Sequence, residues 1–235
     1  KIMGFWLELG LSGFRVDAAP FLAGGPVPGG AKSDDVFGYL EEFRQFLSWR
    51  RGDALFLAEA NVPLEGILDY FGYGPQIHML FSFLVNQQLF LALAREDPGP
   101  LAGILKQLPE LPRTGQWANF LRNHDELDLG RLTDEEREEV YAAFAPNKNM
   151  RAYGRGIRRR LAPMLQGDRR RQELAYSLLF SLPGTPVLRY GDEIGMGDDL
   201  SLPERASVRT PMQWSDEQNG GFFDFQGLTL GAFDR

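Results

Sequence analysis

Three short segments each deliver a carboxylate in a setting suited to nucleophile or proton chemistry. In Gly13-Phe14-Arg15-Val16-Asp17, side chains alternate along a strand. Arg15 and Asp17 then share one face while Phe14 and Val16 take the other. A guanidinium beside a carboxylate favours the ionised form, and an anion at neutral pH is what a carboxylate nucleophile must be. Leu57-Ala58-Glu59-Ala60-Asn61 is an apolar run that ends in a charge. Nearby anions and partial burial raise the pKa of such a Glu, so it holds a proton that it can donate. Leu121-Arg122-Asn123-His124-Asp125 closes a third apolar run with polar groups. An acid paired with a nucleophile or base is what glycosidic bond cleavage needs. A third carboxylate could stabilise an oxocarbenium-like transition state and hold sugar hydroxyls. Singly, each is equally compatible with a cap or a surface charge, and a lone His with a hydrogen-bonded structural residue. The ordered trio is the specific signal.

Carboxylates at strand ends require a sheet whose C-terminal ends meet, and the pattern of the chain supplies one. Apolar runs at residues 13–18, 55–61, 78–83, 117–123 and 185–190 read as strands. Longer stretches of three-to-four spacing separate them. Ile2, Phe5, Trp6 and Leu9 have helical spacing before Gly10. Val36, Leu40, Phe43 and Leu47 mark a helix from Asp34-Asp35 to about Trp49, with Arg50-Arg51 and Gly52 at its end. The third strand runs into a helix through Ala94, and residues 101–108 form a short one. Thr133 with Glu136 reads as a capping box. Residues 161–182 are helical around an internal Gly167. Strands alternating with helices argue for a parallel sheet in an α/β fold, where active sites gather at the C-terminal ends of the strands. Two arginine runs, Arg158-Arg159-Arg160 and Arg169-Arg170-Arg171, read as solvated helix surface paired with carboxylates.

Composition removes several function classes. The chain has 235 residues and a net charge of −7, with two His and no Cys. There is no disulfide framework, thiol nucleophile or Cys-ligated zinc. An acidic total disfavours nucleic acid and anionic membranes as partners. No apolar stretch is long enough to span a bilayer, and no signal-peptide pattern is present. With the missing Cys, this favours the cytoplasm. No Gly-rich phosphate loop follows a strand, so no nucleotide or redox cofactor is expected.

The trio resembles the α-amylase superfamily (glycoside hydrolase family 13). Residues 13–17 look like that family's nucleophile strand, 57–61 its acid/base strand and 122–125 its third motif. Gly184-Thr185-Pro186 and Tyr190-Gly191-Asp192-Glu193 are similar to its eighth strand and following loop. The resemblance implies that Asp17 is the nucleophile, Glu59 the general acid/base and Asp125 the transition-state stabiliser. It also implies that Arg15 orients Asp17 and that His124 binds the sugar in the deepest subsite. Phe120 to Leu127, Gly156 to Pro163, Phe180 to Leu188 and Val208-Arg209-Thr210-Pro211-Met212-Gln213-Trp214 resemble the trehalose synthase branch of the family. There an Arg at the place of Arg205 contacts the bound disaccharide. The sequence departs from that branch in the short loop 23–30, in Val62 for a usual Gln, and in Arg189 for a common Tyr.

The resemblance implies a fold of the α/β class, the C-terminal part (about strands 4–8) of a (β/α)8 barrel. Residues 1–214 form the partial barrel. Residues 215–235 form a final helix or tail leading toward an absent C-terminal β-domain. Such a fragment is expected to be inactive alone and to aggregate or pair. The implied activity is retaining α-glucosyl transfer, with maltose converted to trehalose. An α-glucosidase or α-amylase type of hydrolysis is the alternative, and a non-catalytic carbohydrate-binding relative is the alternative of another class. The partner is a small α-glucoside. No cofactor is required for the chemistry; a structural calcium is common in the family, and no residue here is assigned to it.

Overall fold

A computed structural model of the chain describes residues 1–22, 34–72 and 74–221. The Gly/Pro-rich loop at 23–30 and the tail beyond residue 221 lie outside the described residues. The chain divides into two compact units. The first comprises Lys1–Leu84, Gly103–Asn119 and Pro183–Thr185; the second comprises Val85–Ala102, Phe120–Leu182 and the residues from Pro186 onward.

The first unit holds a parallel sheet. Helix α1 (Ile2–Glu8) precedes strand β1 (Gly13–Val16), and helix α2 (Asp34–Arg50) leads to strand β2 (Leu55–Ala58). Helix α3 (Ile67–Phe71), strand β3 (Met79–Phe81) and, beyond helices α4 (Phe83–Arg95) and α5 (Gly99–Gln107), strand β4 (Gln116–Phe120) follow. The strand order is β1-β2-β3-β4 and then β8 (Thr185–Val187), with parallel pairing from β1 to β4. Thr185 Oγ1 meets Gln116 Oε1 at 2.9 Å. The core sits where α2 and α3 cover the sheet. Leu40, Leu47, Phe56, Phe71, Ile77 and Leu80 are essentially inaccessible, as apolar side chains on the covered face of a parallel sheet must be. The strands are shorter than the sequence suggests. β1 stops at Val16 and β2 at Ala58, so Asp17 and Glu59 lie just past the regular ladder. In contrast, one face of α1 remains open: Ile2, Phe5 and Trp6, with Leu9 just after the helix, are exposed, while Met3 and Leu7 pack against the core.

The second unit contains a feature that periodicity did not reveal. Strands β5 (Leu127–Asp128), β6 (Arg151–Ala152) and β7 (Gly156–Ile157) form an antiparallel sheet of order β5-β7-β6. At two residues each they are too short to register as alternation. Helix α6 (Asp134–Phe144) starts with the expected capping box: Glu136 N–H donates to Thr133 Oγ1, and Thr133 N–H to Glu136 Oε2. The 161–182 pattern breaks into α7 (Leu161–Met164) and α8 (Arg169–Ser181) around Gly167, whose φ is +69°. Asp168 caps α8 by accepting from the Arg170 and Arg171 N–H groups.

The two arginine runs part company here. Arg169 is solvated at the start of α8, with a side chain 89% exposed. Arg158 and Arg160 are buried and stand in an irregular segment after β7, which corrects the expectation of a helix surface. Arg158 spends its donors on three main-chain carbonyls, those of Asn149, Leu200 and Leu202. Loops that pack inward carry polar backbone groups with them, and a guanidinium with five donors satisfies several at once. Among the described residues no helix is long and apolar enough to cross a membrane.

Gly13 and His78 set the spacing of the sheet. A Cβ on Gly13 would lie 2.2 Å from the carbonyl oxygen of Leu55, its partner across the ladder. Gly13→Ala must therefore push β1 off β2, with a loss of roughly 1–3 kcal/mol, measurable by denaturant unfolding. His78 Nδ1 accepts the Phe56 N–H at 3.0 Å. Burial, with the charge of Arg44 second, pushes its pKa down to about 4. The folded state thus holds fewer protons at this site than the unfolded state between about pH 4 and 6.5. The His78 contribution is complete above pH 6.5 and is lost as pH falls toward 4. After solvent screening it is on the order of 1–2 kcal/mol. Relative to His78→Asn, the wild-type chain should lose stability on acidification across that window.

Candidate functional site

The ladder between β1 and β2 carries on past the strand ends with one irregularity. Glu59 N–H donates to Val16 O at 3.0 Å, as a regular parallel ladder requires. The next bond in register would come from Ala18; it comes from Ala19, which donates to Glu59 O at 2.9 Å. One extra residue is thus accommodated opposite Glu59. Ala18 takes a left-handed conformation, φ 44° and ψ 47°, unusual for a residue with a Cβ. Extra residues of this kind re-aim a side chain at a strand end, and the one re-aimed here is Asp17.

Arg15 joins the two carboxylates. Its Nη1 donates to Asp17 Oδ1 at 2.9 Å, and its Nη2 pairs with Glu59 Oε2. Asp17 is largely open, with a side chain 76% exposed, whereas that of Glu59 is 16% exposed. The sequence expectation that Arg15 and Asp17 share a face is met in this geometry. Burial is the main cause that raises the Glu59 pKa above the ordinary glutamate value. The Arg15 charge opposes it, while a hydrogen bond with Asp17 and the Asp17 charge add to it. One carboxyl beside a cation and open to solvent, and one with a raised pKa, stand on adjacent strands, and these are the features that acid and nucleophile chemistry by two carboxylates requires.

The second unit gathers the other expected residues. Arg122 is buried and donates to Arg159 O and Asp125 O, both at 2.8 Å. Asn123 Oδ1 accepts the Asp125 N–H at 3.0 Å. These bonds shape the turn that presents Asp125, whose side chain is 16% exposed. His124 Nε2 lies 3.7 Å from Asp125 Oδ1, and Arg205 Nη1 lies 3.5 Å from it. Arg205 also forms a two-pronged contact with Glu126, Nε to Oε2 at 2.7 Å and Nη2 to Oε1 at 3.2 Å. Its guanidinium stands 5.3 Å from the centre of the Tyr153 ring. So Arg15, Asp17 and Glu59 come together in one unit, and His124, Asp125 and Arg205 in the other.

Two residues escaped the reading of the sequence. Arg209 pairs with Asp125 Oδ1 and donates from Nε to His124 O at 2.8 Å. Glu126 is buried beneath Arg205. The signal for Arg209 lay in its type, a cation within a chain that supplies a carboxylate needing one. Nothing in the spacing linked residue 209 to residue 125. Among the described residues no three His, Cys, Asp or Glu side chains cluster to hold a metal ion.

Comparison with known proteins gives a consistent context. The family described as "Alpha amylase, catalytic domain" matches residues 157–229. A trehalose synthase of Thermus thermophilus is 47% identical over 93% of this chain and 23% of its own length. The trehalose synthase/amylase TreS of Mycolicibacterium smegmatis is 46% identical over 94% of this chain and 38% of its own length. The crystal structure of an α-amylase from H. orenii superposes with a TM-score of 0.63 at 21% identity, covering 92% of this chain and 37% of that one. The chain therefore spans well under half the length of these relatives.

The raised pKa of Glu59 has a testable sign. The folded state binds the Glu59 proton more tightly than the unfolded state, so the stability tied to that proton is complete below the unfolded value of about 4.5. It is lost as pH rises through the higher folded value. Glu59→Gln abolishes this titration. The difference in Tm between variant and wild type should move in the variant's favour as pH rises from 4 to 7. A difference that does not change with pH would show that Glu59 titrates as an ordinary glutamate.

Proposed function

Because the chain belongs to the α-amylase family, as part of its (β/α)8 barrel, we propose that it carries the reactive carboxylates of a retaining α-glucosyl-transferring enzyme. The observation behind this reading is the Arg15 bridge between an open Asp17 and a buried Glu59. In this reading Glu59 gives its proton to the glycosidic oxygen of a small α-glucoside such as maltose. Asp17 attacks the anomeric carbon and forms a covalent β-glucosyl intermediate. Glu59, now ionised, takes the proton of the incoming acceptor hydroxyl, and the second displacement restores the α configuration. Asp125 is assigned from its motif to stabilise the oxocarbenium-like transition state, His124 to hold sugar hydroxyls, and Arg205 to contact the disaccharide. Arg15 keeps Asp17 oriented. The scheme uses no nucleotide or redox cofactor.

The fate of the intermediate decides the product. If the released glucose returns through its anomeric hydroxyl, maltose becomes trehalose; if water enters, glucose results. The identity of 44–47% with proteins named trehalose synthases favours the first outcome. Hydrolysis by the same carboxylates is the second reading, favoured by the double name trehalose synthase/amylase that several of these relatives carry.

Product analysis of maltose incubated with a full-length enzyme carrying this segment tests both. Trehalose as the main product is expected, and glucose without trehalose would overturn the transfer reading. Asp17→Asn in the same enzyme should lower turnover by several orders of magnitude with the fold intact. Undiminished activity would remove Asp17 from its role.

A further inference from the structure

Two residues of the second unit take a left-handed conformation without being glycine, and their side chains meet. Tyr153 has φ +54° and Glu204 φ +44°. The Tyr153 hydroxyl donates to Glu204 Oε2 at 2.8 Å. Tyr153 and Gly154 are the central pair of the turn between β6 and β7. Both have positive φ, and the Arg155 N–H donates to Ala152 O at 3.3 Å across the turn. This is the two-residue hairpin turn for which Asn-Gly is the favoured sequence. A bulky side chain at its first position is strained where Asn is tolerated. The needs of the turn therefore do not explain a tyrosine there, and strain of this kind points to a role for the side chain.

Arg205, the residue after Glu204, supplies that role. Its guanidinium stands 5.3 Å from the centre of the Tyr153 ring, within cation–π range. Glu126, with a side chain only 3% exposed, accepts from Nε at 2.7 Å and from Nη2 at 3.2 Å. The same hairpin makes room for Glu126, since a Cβ on Gly156 in β7 would lie 2.6 Å from Glu126 Cγ. The hairpin thus acts on Arg205 twice, through the ring at its tip and through the space it leaves for the carboxylate. With Nε and Nη2 occupied, Nη1 is the remaining donor nitrogen, 3.5 Å from Asp125 Oδ1.

We propose that Tyr153 is a positioning residue for glucosyl transfer, holding the Arg205 guanidinium so that Nη1 donates to a sugar hydroxyl beside Asp125. An arginine free to turn loses side-chain freedom each time it binds, whereas one already fixed does not. The proposal rests on the reading of Arg205 as a contact to the disaccharide.

Four variants of a full-length enzyme carrying this segment test it: Tyr153→Asn, Tyr153→Phe, Arg205→Ala and the double variant Tyr153→Asn with Arg205→Ala. Asn suits the turn, so Tyr153→Asn should keep its Tm within about 2 °C of wild type. Its kcat/KM for maltose should nevertheless fall roughly five- to tenfold. Tyr153→Phe keeps the ring and should restore most of the loss. In the Arg205→Ala background Tyr153→Asn should cost nothing further, because the group it positions is gone. Full kcat/KM in Tyr153→Asn alongside an impaired Arg205→Ala would overturn the proposal alone, as would an equal loss from Tyr153→Asn on both backgrounds. An unimpaired Arg205→Ala would instead overturn the assignment of Arg205, and the proposal with it. Should Tyr153→Asn fail to fold, Tyr153→Gly, which also suits this turn, gives the same readings.

Discussion

The parallel pairing of β1 with β2 is the constraint on which the placement of Asp17 and Glu59 depends. In a parallel ladder, residues opposite one another face the same way, and corresponding ends of the strands finish side by side. Gly13 opposite Leu55 fixes the register, with Arg15 opposite Leu57 and Val16 opposite Ala58. One more step sets Asp17 level with Glu59. The extra residue at Ala18 then keeps Glu59 bonded on both backbone sides. The two carboxylates are placed by main-chain hydrogen bonds before their side chains interact, and Arg15 only has to close a gap that the sheet has already made small.

The second unit solves a different problem with the same residue type. Its polypeptide is mostly irregular between short elements, and irregular backbone that packs inward brings carbonyls that need donors. Arg122, Arg158 and Arg189 supply them, each through more than one nitrogen. Lysine, with a single ammonium, could not span such separated acceptors. The departure from a common Tyr at position 189 therefore has a structural expression: a buried cation between the carbonyls of Asn123 and Val208. It also leaves more positive charge inside than the neighbouring carboxylates offset.

Much of this was legible in the sequence. Alternation and apolar runs located the five strands of the parallel sheet, and the capping residues located α6. The face shared by Arg15 and Asp17 followed from strand geometry alone. What could not be read was set by contacts remote in the chain. The two-residue strands β5, β6 and β7 have no period to detect. The Arg158-Arg159-Arg160 run looked solvated because charge normally is, and only the loops around it make burial tolerable. Arg209 meets Asp125 across 84 residues, a separation over which spacing carries no information. The strand ends were overestimated because apolar character continues past the regular strands, into segments such as the irregular one at Ala18 and Ala19.

The bonds from Arg122 and Arg189 to the 123–125 turn go to carbonyl oxygens, which every amino acid possesses. These supports of the turn's path do not depend on its side chains, whereas the Asn123 contact to the Asp125 N–H and the pairing of Asp125 with Arg209 do. Position 124, whose carbonyl rather than its side chain accepts from Arg209, can exchange chemical groups while the frame around it persists. Such an arrangement confers evolvability: side chains can be sampled at the tip of a fixed mount with a smaller stability penalty than a turn held by its own side chains would incur.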